Sequence, residues 1–127
     1  MAGRQHQGGV LPRNYLQGCL LLLLAESPGH GYDLMERLSD LGLSGVDSGG
    51  LYRALRSLDE DGLVKSWREE SQLGPVRRRY RISAAGVGGL ERWATTVGAS
   101  ASSLNSFLDR HRQLHDWRRR TAVDLLA

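Results

Sequence analysis

Residues 47–83, DSGGLYRALRSLDEDGLVKSWREESQLGPVRRRYRIS, decide the fold because a helical pattern changes to an alternating one within them. Leu51, Leu55 and Leu58 recur at the spacing of one helix face, so we expect them in the core. Gly62 lacks a Cβ and suits the left-handed position that follows a helix end. The first part of the stretch therefore predicts an amphipathic helix.

Two alternating runs follow this helix. Residues 63–68 and 76–82 each change side-chain character at every second position, and the polar loop 69–75 separates them. This pattern predicts two strands joined as a hairpin. Residues 63–82 carry six basic and two acidic side chains, a local net charge of +4. The predicted hairpin is therefore strongly basic.

The chain before residue 47 predicts an arm and two helices. Residues 1–13 are polar and rich in glycine, which is typical of a flexible arm. Residues 15–26 form an apolar helix, and residues 31–41 form an amphipathic helix. In the second helix the periodicity places Tyr32 on the core face and Arg37 outward.

Polar residues stand where helix N-caps are expected. Asn14 precedes the first predicted helix, Asp47 or Ser48 precedes the third, and Ser83 precedes the last. Side-chain oxygens of these residue types accept hydrogen bonds from the free backbone N–H groups of a first helical turn. We therefore predict that each helix begins directly after its cap.

The last helix carries a seam that one small domain cannot cover. Nine positions from Leu90 to Arg118 follow a strict 3,4 spacing, and six of them are apolar. The seam therefore predicts a homodimer. Residues 98–103 are poor helix formers, so they either kink or break the helix or let two helices cross closely. The residues predicted to form the dimer are Leu90, Trp93, Val97, Leu104, Phe107 and Leu114.

Composition limits the function classes. The 127 residues suit one domain with an appended helix, and 16 of the 17 basic residues are arginine. The sequence has no nucleophile elbow, P-loop, dinucleotide fingerprint or paired catalytic carboxylates, so we predict that the protein is not an enzyme. We also predict no cofactor.

Disulfide, metal and membrane roles are not expected either. Cys19 is the single cysteine, which excludes an internal disulfide and a cysteine-based zinc site. The i, i+4 pair of His111 and His115 lacks the glutamate of a zinc-binding helix, so no metal is predicted. The apolar run 19–25 is too short to span a bilayer, and we predict a cytoplasmic protein.

The order of elements indicates the fold class: mainly α with a small β-hairpin, as in a winged helix-turn-helix, followed by a dimerisation helix. In that fold the third helix enters the major groove of double-stranded DNA and the hairpin lies over the adjacent backbone. Arg53 and Arg56 suit guanine edges or phosphate, and Tyr52 can donate to phosphate. Alternatively, Arg56 pairs with Glu60 and Tyr52 packs against the hairpin.

The motifs also resemble the PadR family of bacterial transcriptional regulators. The resemblance lies in residues 31–32, 50–55 with 58–64, and 74–86, and it covers about residues 14–90. It implies a dimeric winged-helix repressor of an inverted-repeat operator, with the first and last helices forming the dimer. The short C-terminal region is similar to that of the small members of the family.

The resemblance also implies DNA contacts. Tyr52, Arg77 and Arg78 match contact positions of the family. Arg53 stands where the family has proline, and Arg79 stands where it has an aromatic residue, so Arg79 can reach phosphate. Together with Ser48 at the helix start, these complete the predicted DNA-binding set: Ser48, Tyr52, Arg53, Arg56, Arg77, Arg78 and Arg79.

Members of this family often release DNA when a small aromatic or drug-like compound binds. Trp93 and Val97 lie one turn apart on the seam and could line such an effector pocket. The alternative is that Trp93 only packs in the core.

The sequence therefore predicts three regions: the arm 1–13, a winged-helix domain 14–82, and a dimerisation helix with a basic tail 83–127. The preferred function is a sequence-specific repressor. A second hypothesis is a winged-helix module that docks an acidic protein partner, or a ligand-sensing adaptor, without binding DNA.

Overall fold

The computed structural model describes residues 14–70, 74 and 76–126, with side chains described as far as residue 122. The predicted arm 1–13 lies outside the described residues. The chain divides into two compact units, one ending at Ala94 and one that includes Thr95 onward. The elements in chain order are α1 (Tyr15–Glu26), β1 (Gly29–His30), α2 (Gly31–Asp40), α3 (Ser48–Glu60), β2 (Val64–Glu69), β3 (Arg77–Ile82) and α4 (Ala84–Leu126).

This element order confirms the predicted fold class, mainly helical with a small sheet at its hairpin. The core forms around α1, whose leucines pack against α2, α3 and the sheet. Leu51, Leu55 and Leu58 of α3 are buried as predicted. In the part of the chain that the structure describes, no helix is long and apolar enough to cross a membrane.

Two predictions for α2 are wrong. Tyr32 is 70% exposed, because the face that α2 buries runs through Gly31, Leu34 and Leu38. Arg37 does not point into solvent: its guanidinium donates to the carbonyl oxygens of Leu23 and, at 3.1 Å, Ser27. The last carbonyl groups of a helix have no partner within it, so Arg37 satisfies acceptors at the end of α1.

Most predicted caps are confirmed. The Asp47 carboxylate, rather than Ser48, accepts from the Gly50 N–H at 2.8 Å. Gly62 has φ 74°, the left-handed conformation predicted after α3. Asn14 stands before α1, but it makes no side-chain cap hydrogen bond and its own φ is 57°. Asn14 thus takes the predicted N-cap position, but its side chain does not form the capping hydrogen bond.

The sheet has three antiparallel strands in the order β1-β3-β2. Val64 pairs with Ile82 at one end of the hairpin, and Glu69 pairs with Arg77 at the other. The predicted two-stranded hairpin is thus confirmed, while β1 was not predicted. Its two residues pair with Tyr80 and Arg79 of β3, which ties the segment between α1 and α2 to the hairpin.

Ser83 joins the start of α4 to the start of β2. Its hydroxyl donates to the Gly62 carbonyl oxygen at 2.6 Å and accepts from the Gly86 N–H at 3.0 Å. Its own N–H donates to the Leu63 carbonyl oxygen at 3.0 Å. The predicted Ser83 cap is confirmed, and it also fastens α4 to the hairpin.

We expect Ser83→Ala to lower the free energy of unfolding by about 1–3 kcal/mol, because a buried donor and acceptor lose their partner. Urea unfolding followed by circular dichroism measures the change. Ser39→Ala, on the exposed side of α2, is the matched control and should change stability by less than about 0.5 kcal/mol. A Ser83→Ala protein as stable as the control would contradict the structural role of this hydroxyl.

α4 is helical through residues 98–103, which the sequence left undecided. Beyond them lies an exposed apolar surface, which we call the α4 stripe. Phe107 is 68% exposed and stacks on His111 with 6.3 Å between ring centroids. The stripe consists of Leu104, Phe107, Leu108, Leu114 and Trp117. Of the other predicted dimer residues, Leu90 and Trp93 pack against the core of their own unit.

Candidate nucleic-acid interface

The predicted DNA-binding residues of α3 share its exposed side. The helix buries Leu51, Ala54, Leu55 and Leu58, and this periodicity leaves several positions between residues 48 and 56 outward. Those outward positions hold one hydroxyl, one phenol and two guanidinium groups. They are Ser48, Tyr52, Arg53 and Arg56, all exposed.

Tyr52 is 47% exposed, and the hydroxyl end of its ring lies against Gly31, the first residue of α2. A Cβ at Gly31 would lie 2.5 Å from the Tyr52 hydroxyl oxygen. Tyr52 therefore connects the exposed surface of α3 with the start of α2.

Hydrogen bonds place Arg78 of β3 beside α3. The Arg78 guanidinium donates to the Ser66 hydroxyl at 2.9 Å, and that hydroxyl donates to the Asp59 carboxylate at 2.8 Å. A cavity of about 340 Å³ lies between these elements and is lined by Tyr52, Arg56, Asp59, Arg78 and Tyr80. Burial raises the pKa of the Tyr80 phenol at this cavity, so Tyr80 remains a neutral wall.

A second cavity, of about 470 Å³, lies on the other side of Tyr52. Its walls come from the β1–α2 junction, α3 and the hairpin, and they are formed by His30, Gly31, Tyr32, Tyr52, Val76, Arg77 and Arg78. Tyr52 and Arg78 line both cavities. The structure thus brings together four of the seven predicted residues: Tyr52, Arg56, Arg77 and Arg78.

Arg77 and Arg79 lie on the opposite face of β3 from Arg78, because successive residues of a strand alternate between faces, and of these two only Arg77 lines the cavity of about 470 Å³. The Arg79 guanidinium is 3.6 Å from the Glu69 carboxylate, which also faces His30 Nε2 at 3.5 Å. Arg53 turns back toward Gly49, where a Cβ would lie 3.1 Å from the guanidinium. The structure therefore does not bring Arg79 or Arg53 into the Tyr52 cluster.

Sequence reasoning missed His30 and Asp33 at the edge of this surface. The His30 N–H donates to the Asp33 carboxylate at 3.1 Å, and this bond lowers the pKa of Asp33 below its ordinary value. An acidic residue three positions after a helix start is a known cap signal. That signal was readable in the sequence.

The alternative interpretations can be compared with the contacts. Within the described part of the chain, Arg56 forms no ion pair with Glu60. Trp93 packs on α1, where a Cβ at Gly18 would lie 3.2 Å from the indole ring, as the packing interpretation expects. Among the described residues, no group of histidine, cysteine and carboxylate side chains could hold a metal ion.

Comparison with known proteins places the chain among regulators. Residues 20–92 match the family model described as the transcriptional regulator PadR-like family. None of the curated proteins that were compared matches.

Solved structures give the same result. A PadR-like transcriptional regulator from Bacillus cereus is 29% identical with a TM-score of 0.65, and the match covers 73% of this chain and 90% of that one. A PadR-like transcription factor from Bacteroides fragilis is 28% identical with a TM-score of 0.61, covering 86% and 96%. Bacillus subtilis PadR, solved in complex with operator DNA, is 21% identical with a TM-score of 0.60, covering 65% and 48%, and shows a shared fold.

Proposed function

This chain belongs to the PadR-like family of transcriptional regulators, and from this premise we propose that it is a dimeric repressor that binds an inverted-repeat operator near its own gene. It is a DNA-binding transcriptional regulator and not an enzyme. The dimer, the repression and the operator are the parts that we propose.

The observation that carries this proposal is the cluster of Tyr52, Arg56, Arg77 and Arg78, which line two cavities that share Tyr52 and Arg78. Arginine pairs bidentately with guanine edges or with phosphate, and tyrosine donates to phosphate. Bacillus subtilis PadR has been solved with operator DNA, and the shared fold supports a similar use of α3 and the hairpin here.

The charge distribution along α3 supports a definite orientation. Arg53 and Arg56 are the sixth and ninth of its 13 residues, while Asp59, Glu60 and Asp61 crowd its end. Carboxylates repel backbone phosphates, so we propose that α3 enters the major groove with the part that precedes Asp59.

The α4 stripe supports the proposed dimer. Exposed apolar side chains repeat along residues 104–117, and a second copy of the same helix would cover them. In a dimer the two α3 helices would contact two half-sites of the DNA. The centres of these half-sites would be separated by one helical turn, about 34 Å, or by a whole multiple of that distance.

We also propose that a planar aromatic effector weakens operator binding by stacking beside Trp93. The support is an indole that is half-buried rather than fully enclosed. Titrating aromatic acids and planar drugs into the protein–operator complex tests this part, and we expect at least one to release DNA from wild type but not from Trp93→Leu.

The function is tested by binding to DNA from the protein's own upstream region, measured by fluorescence anisotropy across a salt titration. We expect log affinity to fall with log salt with a slope of several units, because phosphate contacts release counterions. Absence of binding at low salt would overturn the proposal and favour docking of an acidic protein partner.

Arg56→Ala separates a DNA contact from a structural role. We expect about a tenfold loss or more in operator affinity with Tm and dimerisation nearly unchanged, because Arg56 is exposed. Arg119→Ala, an exposed arginine on α4, is the matched control and should bind as wild type does. If Arg56→Ala instead lowers stability by more than about 1 kcal/mol, Arg56 is structural and the proposed orientation of α3 is wrong.

A further inference from the structure

Gly31 of α2 lies against the Tyr52 ring of α3. A Cβ built on Gly31 would lie 2.5 Å from the Tyr52 hydroxyl oxygen, 2.6 Å from its Cε1 and 2.7 Å from its Cζ. These distances are all shorter than real Cβ contacts. Any side chain at position 31 would therefore push the hydroxyl end of Tyr52 away from α2.

The hydroxyl end of Tyr52 lies at a cavity that has basic side chains in its walls. It lines the cavity of about 470 Å³ together with Arg77 and Arg78 of β3. A phenol donates one hydrogen bond without charge, whereas the two guanidinium groups supply positive charge. All three residues line this cavity, so they offer one neutral donor and two cationic donors to a phosphate group.

A half-exposed tyrosine on a helix surface is free to change rotamer unless a neighbour fixes it, and fixing it on binding costs entropy. Because Gly31 has no side chain, the Tyr52 ring can pack against its backbone before any DNA binds. Tyr32, the adjacent residue of α2, lines the same cavity but is 70% exposed.

We propose that Gly31 is a positioning residue for DNA binding: its missing side chain lets the Tyr52 hydroxyl stand beside Arg77 and Arg78, where the three groups bind one operator phosphate. This inference rests on the proposed function. Gly31 touches no DNA and acts through Tyr52.

The experiment compares the full-length Gly31→Ala, Tyr52→Phe and double variants with wild type, using the upstream DNA and the salt titration described above. Gly31→Ala should keep its Tm, because the atoms that must move are the far end of one flexible side chain. Gly45→Ala is the matched control, since a Cβ there meets nothing within 4 Å.

We expect Gly31→Ala and Tyr52→Phe each to lose about tenfold in affinity, the value of one hydrogen bond to a charged group. The double variant should lose no more than either single one, because both changes remove the same contact. The salt slope should stay unchanged in all three, whereas Arg77→Ala should lower it by about one. Gly45→Ala should bind as wild type does.

A second measurement needs no DNA. In protein with ¹³C-labelled tyrosine rings, the Tyr52 signal, assigned through Tyr52→Phe, should shift in Gly31→Ala and stay in place in Gly45→Ala. An unmoved Tyr52 signal would overturn the positioning role, even where DNA binding is intact.

The DNA-binding measurements also test the role of Gly31 directly. A Gly31→Ala protein with wild-type affinity would overturn the inference, as would additive losses in the double variant. If wild type itself fails to bind DNA at low salt, the proposed function and the phosphate contact both fall, and the ring signal alone then decides whether Gly31 positions Tyr52.

Discussion

Gly86→Ala is expected to lower the free energy of unfolding by about 3 kcal/mol or more, because its Cβ has no space. The new atom would overlap the Leu63 carbonyl oxygen and lie 2.6 Å from Ile82 Cγ1 and 3.1 Å from the Leu63 carbonyl carbon. That carbonyl oxygen also accepts the Ser83 N–H at 3.0 Å, so moving it away weakens a hydrogen bond. The total free energy of unfolding of a small domain is only about 5–15 kcal/mol, so this loss would be a large part of it.

Urea unfolding measures the effect, and Gly98→Ala is the matched control on the same helix. A Cβ at Gly98 meets nothing within 4 Å, so this change should stabilise the helix by about 0.5–1 kcal/mol. If Gly86→Ala unfolds at the wild-type urea concentration, the close packing of α4 on the start of β2 is incorrect.

Phe107→Asp is expected to convert the proposed dimer into a monomer. Phe107 is 68% exposed in the single chain, so a partner helix would bury most of its ring in each protomer. Each buried phenylalanine contributes about 1.5–3 kcal/mol, and the aspartate adds an uncompensated charge. Analytical ultracentrifugation should show half the wild-type mass, and operator affinity should fall because each monomer reads one half-site.

The control for this change is Ser102→Asp, which adds the same charge at an exposed position of α4 outside the stripe. It should remain dimeric and bind DNA as wild type does. Far-ultraviolet circular dichroism should show that the Phe107→Asp protein is still folded, because Phe107 is not part of the core. A Phe107→Asp protein that sediments as a dimer would refute the role of the stripe.

The sequence predicted the features that depend on neighbouring residues. The Asp47 cap, the left-handed Gly62 and the Ser83 cap each need only a few residues of context, and the structure confirms all three. The buried leucines of α3 follow directly from helical periodicity.

Features that depend on distant partners were not predictable in this way. β1 is a strand only because β3 lies beside it, and two residues carry no periodicity of their own. Helical periodicity alone predicts that Arg37 faces solvent. Its hydrogen bond to the end of α1 depends on how α1 and α2 pack, which the periodicity does not give.

The candidate site shows the same division. The run Arg77–Arg78–Arg79 predicted a basic strand, but the hairpin register decides the partner of each guanidinium. Alternation along the strand separates Arg78 from Arg79, but only the register shows that Arg78 meets Ser66 and Arg79 meets Glu69. The contact between Gly31 and Tyr52 likewise joins two helices across the fold.

The short strand β1 has a consequence for the affinity of DNA binding. An isolated two-stranded hairpin is only marginally ordered in water, but β1 pairs with Tyr80 and Arg79 and makes β3 the middle strand. Strand β3, with its arginines, is therefore ordered during folding, before DNA binds. Preorganisation of this kind leaves more of the interaction energy available for affinity.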